Sequence, residues 1–205
     1  MIVLTETHLR EGQSSIFKNP LVDLRKKVGY AERARGGLMI LAEEAHRTET
    51  QVIYQDPDNN YAIIRYRELV IAAAYLAPSL DDDCISEFVE RAVSIAEDYG
   101  NDLIIVGDLN ARVGSLAQDI RFNRRGRILI TLLQEKDLIL HRPEVGRWTC
   151  TNWMGNSVVD HVIGNGAALS EYEIVPDCLG GSDHRPLLFG VNTGEEPQKN
   201  LLGGS

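Results

Sequence analysis

Four short stretches of this 205-residue chain bring an acid, an amide or a histidine to an apolar run. In Ile2-Val3-Leu4-Thr5-Glu6 an apolar segment delivers a glutamate, and a carboxylate held at a strand end is a good ligand for a hard cation. In Ile104-Ile105-Val106-Gly107-Asp108-Leu109-Asn110-Ala111-Arg112 a glycine allows a tight bend. Asp108 and Asn110 stand two apart, so in extended geometry both face one side. The carboxylate can orient and deprotonate a water, while the amide donates to a phosphate oxygen. In Val158-Val159-Asp160-His161-Val162-Ile163 an acid interrupts an apolar strand and must be paired there. In Gly181-Ser182-Asp183-His184-Arg185-Pro186-Leu187 an adjacent Asp-His opens the last strand. A histidine held by an acid can donate to a phosphate or move protons, and Asp160 is the natural acid to hold His184. Each stretch also has a plainer reading: a surface glutamate, an Asx turn at Asp108, a satisfied structural histidine at 184.

The segments that carry these groups read mostly as strands. Strands are expected at Ile2–Thr5, 37–42, 51–54, Tyr61–Tyr66 and Leu69–Tyr75, with turns such as Asp56-Pro57-Asp58-Asn59-Asn60 between them. Residues 10–35 read as a long surface connection. Helical spacing of Ile85, Phe88, Val89, Ala92, Ile95, Ala96 and Tyr99 predicts a helix capped by Asp81 to Asp83 and stopped at Gly100. Residues 103–106 form a continuous apolar run, the mark of a buried strand. A second helix is expected over 124–136, then strands at 138–140, 148–151, 158–163 and Leu187–Val191. Strands in groups, with helices between the groups, predict two packed sheets with helices outside. Residues 1–191 make one domain, and 192–205 a polar tail or linker.

Composition sets bounds. Hydrophobic residues make up 43% and charged residues 25%, as in soluble globular domains. The net charge of −9 argues against a passive nucleic-acid-coating protein, though not against an enzyme that holds a cation among carboxylates. Three widely spaced cysteines, with no Cys-x-x-Cys, argue against a disulfide framework or a zinc site and for a reducing, intracellular setting, nuclear or cytoplasmic. No apolar run approaches the roughly 20 residues that a membrane span needs.

Taken together, Leu4-Thr5-Glu6-Thr7-His8-Leu9, Gly107-Asp108-Leu109-Asn110-Ala111-Arg112, Val159-Asp160-His161-Val162 and Ser182-Asp183-His184-Arg185-Pro186-Leu187 resemble the endonuclease/exonuclease/phosphatase superfamily, and most of all the endonuclease domains of LINE-type, non-LTR retrotransposons. The resemblance spans residues 2–191. It implies an α+β fold: a DNase I-like four-layer α/β sandwich of two mostly antiparallel sheets with outer helices. It implies metal-dependent hydrolysis of phosphodiesters in DNA, with Mg²⁺ or Mn²⁺ as cofactor. DNA is the implied partner, together with a reverse transcriptase domain in a longer polyprotein. Glu6 corresponds to the metal-binding glutamate and Asp183 to a second metal-side acid. Asp108 corresponds to the water-activating aspartate and Asn110 to its companion. Asp160 corresponds to the acid that orients the histidine, His184 to the histidine on the scissile phosphate, and Tyr75 to a tyrosine that reaches the phosphate. Arg35, Arg112, Arg124 and Arg125 are the candidate nucleic-acid contacts, although an arginine cluster near 121–127 is also what a solvated helix start looks like. Trp148 and Trp153 are candidates for stacking on a base, or for core packing. Cys150 and Cys178 read as structural, and His8, His46, His141 and His161 have no obvious partner.

Two other functions fit the same residues: a phosphatase or phospholipid hydrolase on this fold, and a decayed nuclease that acts as a binding domain. The resembled nucleases open with a strand bearing an asparagine before the glutamate strand. Here the glutamate strand begins at Ile2, so the expectation is an open sheet edge beside it and weakened activity.

Overall fold

Leu69–Tyr75 is apolar throughout and Asp102–Asp108 nearly so, and a strand without a polar face has to be covered on both sides. In the computed structural model, which describes residues 1–25, 36–100, 102–166, 169–177 and 181–191, these two strands lie side by side at the centre of a six-stranded sheet. In chain order the elements are β1 (Ile2–Thr5), β2 (Val22–Leu24), β3 (Leu38–Leu41), α1 (Glu44–Arg47), β4 (Thr50–Gln55), β5 (Tyr61–Tyr66), β6 (Leu69–Tyr75), α2 (Cys84–Tyr99) and β7 (Asp102–Asp108). They continue with α3 (Arg124–Glu135), β8 (Ile139–Leu140), β9 (Cys150–Asn152), β10 (Gly155–Ser157), β11 (Asp160–Gly164), β12 (Leu169–Ile174) and β13 (Leu187–Val191).

The large sheet has the order β4-β5-β6-β7-β11-β8 and is antiparallel except at β6/β7. That parallel pair needs a crossover, which α2 supplies. Side chains alternate across the central strands. Leu103 and Ile105 face α2 and α3 in one core, which also holds Ile85, Phe88, Val89, Ala92, Leu129 and Leu132. Ile104 and Val106 face a second core with Ala62, Ile64, Ile71, Ala73 and Val162. That core is roofed by Val22, Leu24, Leu38 and Ile40 of the β1-β3-β2 sheet and flanked by Tyr172, Leu187 and Phe189 of the β12-β13 hairpin. Each such aliphatic side chain contributes roughly 1.5–3 kcal/mol on burial, so the two cores fix the strand ends relative to one another. The result is the expected α+β sandwich.

Three details differ from the sequence reading. The connection 10–35 contains β2, whose Val22 and Leu24 are buried with Asp23 between them held by Arg25 at 2.6 Å. At the start of α2, Asp83 makes no side-chain cap. Asp81 instead accepts the Asp83 N–H at 2.8 Å, while Gly100 closes the helix in the left-handed region as expected. The hairpin strand β12 and the short strand β10 are additions to the expected set. Among the described strands β1 is paired on one side only, by β3.

Candidate active site

Strand pairing places three of the expected residues in one row. Tyr75 on β6 is opposite Asp108 on β7, and Asp108 is opposite Asp160 on β11. Alternation continues the series Ile104, Val106 to Asp108, Ile71, Ala73 to Tyr75 and Val162 to Asp160, so all three face the space between the two sheet layers. There β1 ends and brings in Glu6. The row depends on Gly107, which has φ 127° and sits so close to β6 that a Cβ would lie 2.0 Å from the Ala74 carbonyl oxygen. Gly107→Ala should therefore cost about 3–5 kcal/mol, combining backbone strain with overpacking. The expected readout is a large fall in melting temperature or loss of soluble protein; a variant that melts with the parent would show that the close approach is dispensable.

The side chains form a connected set. The Tyr75 hydroxyl donates to Glu6 Oε1. Burial, the Glu6 hydrogen bond and the charges of Glu6 and Asp108 all push the Tyr75 phenol far up, so it remains a donor. Asp108 Oδ1 accepts the Asn110 N–H at 2.9 Å, and Oδ2 accepts the Asn110 side-chain amide at 3.1 Å. This is an Asx turn that also holds Asn110 at φ 49°. The same Asn110 amide donates to the Leu76 carbonyl at 3.2 Å, so contact with a phosphate would require it to give up one of these partners. His184 Nδ1 lies 3.1 and 2.9 Å from the two Asp160 oxygens. Thr149, which the sequence did not single out, positions that acid: its buried hydroxyl accepts the N–H groups of Val159 at 3.0 Å and Asp160 at 3.2 Å.

The electrostatics follow from this crowding. Burial pushes the Asp108 carboxyl up to about 8; the Asp160 charge adds to this and Glu6 adds a little more, while His184 and the Asn110 N–H work against it. Burial alone would lower His184, but its hydrogen bond to Asp160, the neighbouring Cys150 and the Asp160 and Asp108 charges push it up to about 12. The site therefore holds an imidazolium beside a carboxylate that titrates near neutrality.

The donor set fits a divalent cation. The Asp108 and Asp160 carboxylates lie within 4.8 Å of each other beside the His184 imidazolium, and the charge of Glu6 reaches Asp108. Converging oxygen donors whose mutual repulsion raises a carboxyl pKa are what a hard ion such as Mg²⁺ or Mn²⁺ relieves. Asp183 is grouped with Cys150 and His184, and so adjoins the Asp108–Asp160 cluster through the shared histidine.

The arginines divide. Arg125 is 2% exposed and its guanidinium donates to the carbonyls of Leu76 (2.8 Å), Leu109 (3.2 Å), Ala77 (3.3 Å) and Leu80 (3.1 Å), so it is an internal clamp and not a phosphate contact. Arg112 is committed to Asp119 through two bonds of 2.9 and 2.6 Å, and Asp119 in turn accepts the Val158 N–H at 3.0 Å. This ties the loop after β7 to the chain entering β11 and commits the Arg112 guanidinium to an internal partner. Arg124 stays exposed, with Asp82 and Asp83 no closer than 4.0 and 3.9 Å. Arg35 and Cys178, like residues 192–205, lie outside the described residues. His161 is buried against the Ala111 carbonyl at 2.7 Å, and His46 meets the Tyr66 hydroxyl at 3.0 Å. Trp148 packs on the helix-side core, whereas Trp153 is 91% exposed at the tip of the β9-β10 hairpin.

Comparison with known proteins agrees with this geometry. The endonuclease domain of TRAS1, a telomere-specific non-LTR retrotransposon, superposes with a TM-score of 0.64 at 18% identity, over 88% of this chain and 83% of that one. The 3′ phosphatase NExo from Neisseria, bound to a product DNA hairpin, superposes with a TM-score of 0.63 at 14% identity, over 93% of this chain and 88% of that one. At these identities the likeness establishes the DNase I-like fold. A search of curated proteins found no matching relative. The sequence model of the endonuclease-reverse transcriptase family matches residues 69–188, more than half of the chain. The chain belongs to this family, within the endonuclease/exonuclease/phosphatase superfamily.

Proposed function

We propose that the protein is a metal-dependent phosphodiesterase that nicks DNA, in the manner implied by retrotransposon endonucleases. The observation that carries this reading is the row Tyr75–Asp108–Asp160 across three adjacent strands, closed by Glu6 at one end and His184 at the other. Asp108, whose carboxyl is pushed up by burial and the Asp160 charge, takes the proton of the attacking water, a task that favours a pKa close to working pH. The His184 imidazolium, held by Asp160, donates to the phosphate oxygens as charge builds on them. Tyr75 and Asn110 become further donors at the phosphate when the Tyr75 hydroxyl turns from Glu6 and the Asn110 amide gives up one of its two acceptors. Glu6, with Asp108 beside it, would hold Mg²⁺ or Mn²⁺, which supplies Lewis-acid charge to the phosphate and the leaving oxygen. DNA binding by an acidic protein falls to local features. Exposed Arg124 and Trp153 are the candidates.

A supercoiled-plasmid assay tests the reading. Nicked circles should accumulate with Mg²⁺ and stop with EDTA. Release of inorganic phosphate from phosphomonoesters without nicking would instead favour the phosphatase alternative. No turnover of either substrate by folded protein would favour the binding-domain alternative.

Trp153 gives a further prediction. It sits on a two-residue turn whose hairpin starts at Cys150, directly across from His184. If it stacks on a base, Trp153→Ala should weaken binding to duplex DNA roughly five- to hundredfold, the range for one stacked base, while kcat changes little. Fluorescence anisotropy in EDTA measures the binding, and an unchanged Kd would remove Trp153 from the interface.

A further inference from the structure

Cys150 has no part in the mechanism above, yet it is 4% exposed and packed against two side chains of the site. The backbone fixes this meeting. Residues 149–151 and 183–185 pair as a short antiparallel ladder: the Thr151 N–H donates to the Asp183 carbonyl at 2.8 Å and the Arg185 N–H to the Thr149 carbonyl at 2.8 Å, with Cys150 opposite His184. Directly opposed residues in such a ladder project to the same face. The Cys150 sulfur lies 3.9 Å from Asp183 Oδ2 and 3.8 Å from the Asn152 side-chain nitrogen. One ligand atom each from Cys150, Asp183 and His184 lies within 4.8 Å of the other two.

That set is one sulfur, one imidazole and one carboxylate. Magnesium and manganese favour oxygen and gain little from a thiolate, whereas zinc takes all three and leaves a fourth position to water. Zinc bonds of about 2.0–2.3 Å put neighbouring ligand atoms roughly 3.3–3.7 Å apart, so side-chain rotation of an ångström or so closes the site. We propose that Cys150, Asp183 and His184 form a second metal site, selective for a thiophilic divalent ion of the zinc class, whose occupation switches the enzyme off. As the metal bonds form, Cys150 releases its thiol proton and His184 one ring proton, both to solvent. A metal takes a neutral imidazole nitrogen, so the ion costs His184 its positive charge, whichever ring nitrogen it occupies. The inhibitory half rests on the role proposed above for His184; the binding half does not.

Cadmium is the spectroscopic probe. Reduced, metal-free protein titrated with Cd²⁺ should develop a near-ultraviolet sulfur-to-cadmium absorption that saturates at one equivalent, is displaced by Zn²⁺ and is untouched by excess Mg²⁺. Cys150→Ser should abolish it, and Cys84→Ser should keep it. Asp183→Asn alters an exposed side chain and so spares folding. It should weaken Cd²⁺ binding by at least about tenfold, as loss of metal-site partners does. A band that survives in folded Cys150→Ser, or an affinity unchanged in Asp183→Asn, overturns the site. In plasmid nicking at saturating Mg²⁺, a small excess of Zn²⁺ should inhibit the parent at least tenfold and leave Cys150→Ser active. Stoichiometric Cd²⁺ binding without Zn²⁺ inhibition overturns the switch while the site stands, and a protein that binds Cd²⁺ at Cys150 but nicks no DNA locates the failure in the nuclease reading.

Discussion

Asp108→Asn should lower the nicking rate by about 10²–10⁴-fold, the range for removing a general base, and should raise thermal stability at alkaline pH. The two effects have one cause. Asp108 is 2% exposed, and burial with the Asp160 charge lifts its carboxyl from 3.8 to about 8. A folded pKa above the unfolded one means that the folded protein binds the proton more tightly. The resulting stability is complete below about pH 3.8 and is lost as pH rises towards 8. At pH 9 the buried charge costs on the order of 5 kcal/mol, since a tenfold change in proton affinity between folded and unfolded chain is worth about 1.4 kcal/mol. Asparagine removes that charge. It also sets its amide against the Asn110 amide and so loses one hydrogen bond, a cost of about 1 kcal/mol. The charge effect wins. Melting temperatures in EDTA should show a variant-minus-parent difference that grows from pH 5 to pH 9. A difference that is flat with pH would mean that Asp108 is already ionised at little cost, and its assignment as the base would lose its physical ground.

Much of the fold is legible in the sequence because the central strands are so apolar. Tyr61–Tyr66 and Leu69–Tyr75 have the bounds expected of them, and the run 103–106 marks the strand that both cores enclose. The segments that escape notice have specific reasons. β2 offers only Val22 and Leu24, too few positions to set a period. β12 carries a bulge between Leu169 and Glu171, which puts Leu169 out of phase with Tyr172 and Ile174. At the site, the acids and the histidine can be named from their places at strand ends, but the row cannot. That Tyr75, Asp108 and Asp160 are neighbours is a matter of register between strands distant in sequence, with a parallel pair among them. Arg125 misleads because clustered arginines suggest solvent. Yet it stands at helical spacing from Leu129 and Leu132, on the buried face of α3, and that period is a better guide than its charge. Arg112 misleads because its partner, Asp119, lies seven residues on in an irregular loop.

The Asp160–His184 pair supplies the second large effect. Asp160→Asn retains an acceptor for His184 Nδ1 but removes the charge that keeps the ring protonated. Without it, only the Cys150 contact and the Asp108 charge still oppose burial, so His184 moves down from about 12. The imidazolium that donates to phosphate is then lost at lower pH than in the parent. Each such donor is worth about 2.7–4 kcal/mol, so activity should drop by up to roughly 10²–10³-fold as pH rises through the lowered His184 pKa. The pH profile should move as well. In the parent, the alkaline limit set by His184 lies far above neutrality, and activity rises as Asp108 ionises. In the variant the Asp160 charge no longer raises Asp108 or His184, so the acid and alkaline limbs both shift down. The whole profile should therefore lie at lower pH than the parent's. Because the acid acts through the histidine, Asp160→Asn combined with His184→Ala should be no worse than His184→Ala alone. Profiles of kcat/KM for the parent and the three variants decide the matter. An Asp160→Asn profile parallel to the parent, or losses that simply add in the double variant, would mean that Asp160 supports the fold without governing His184.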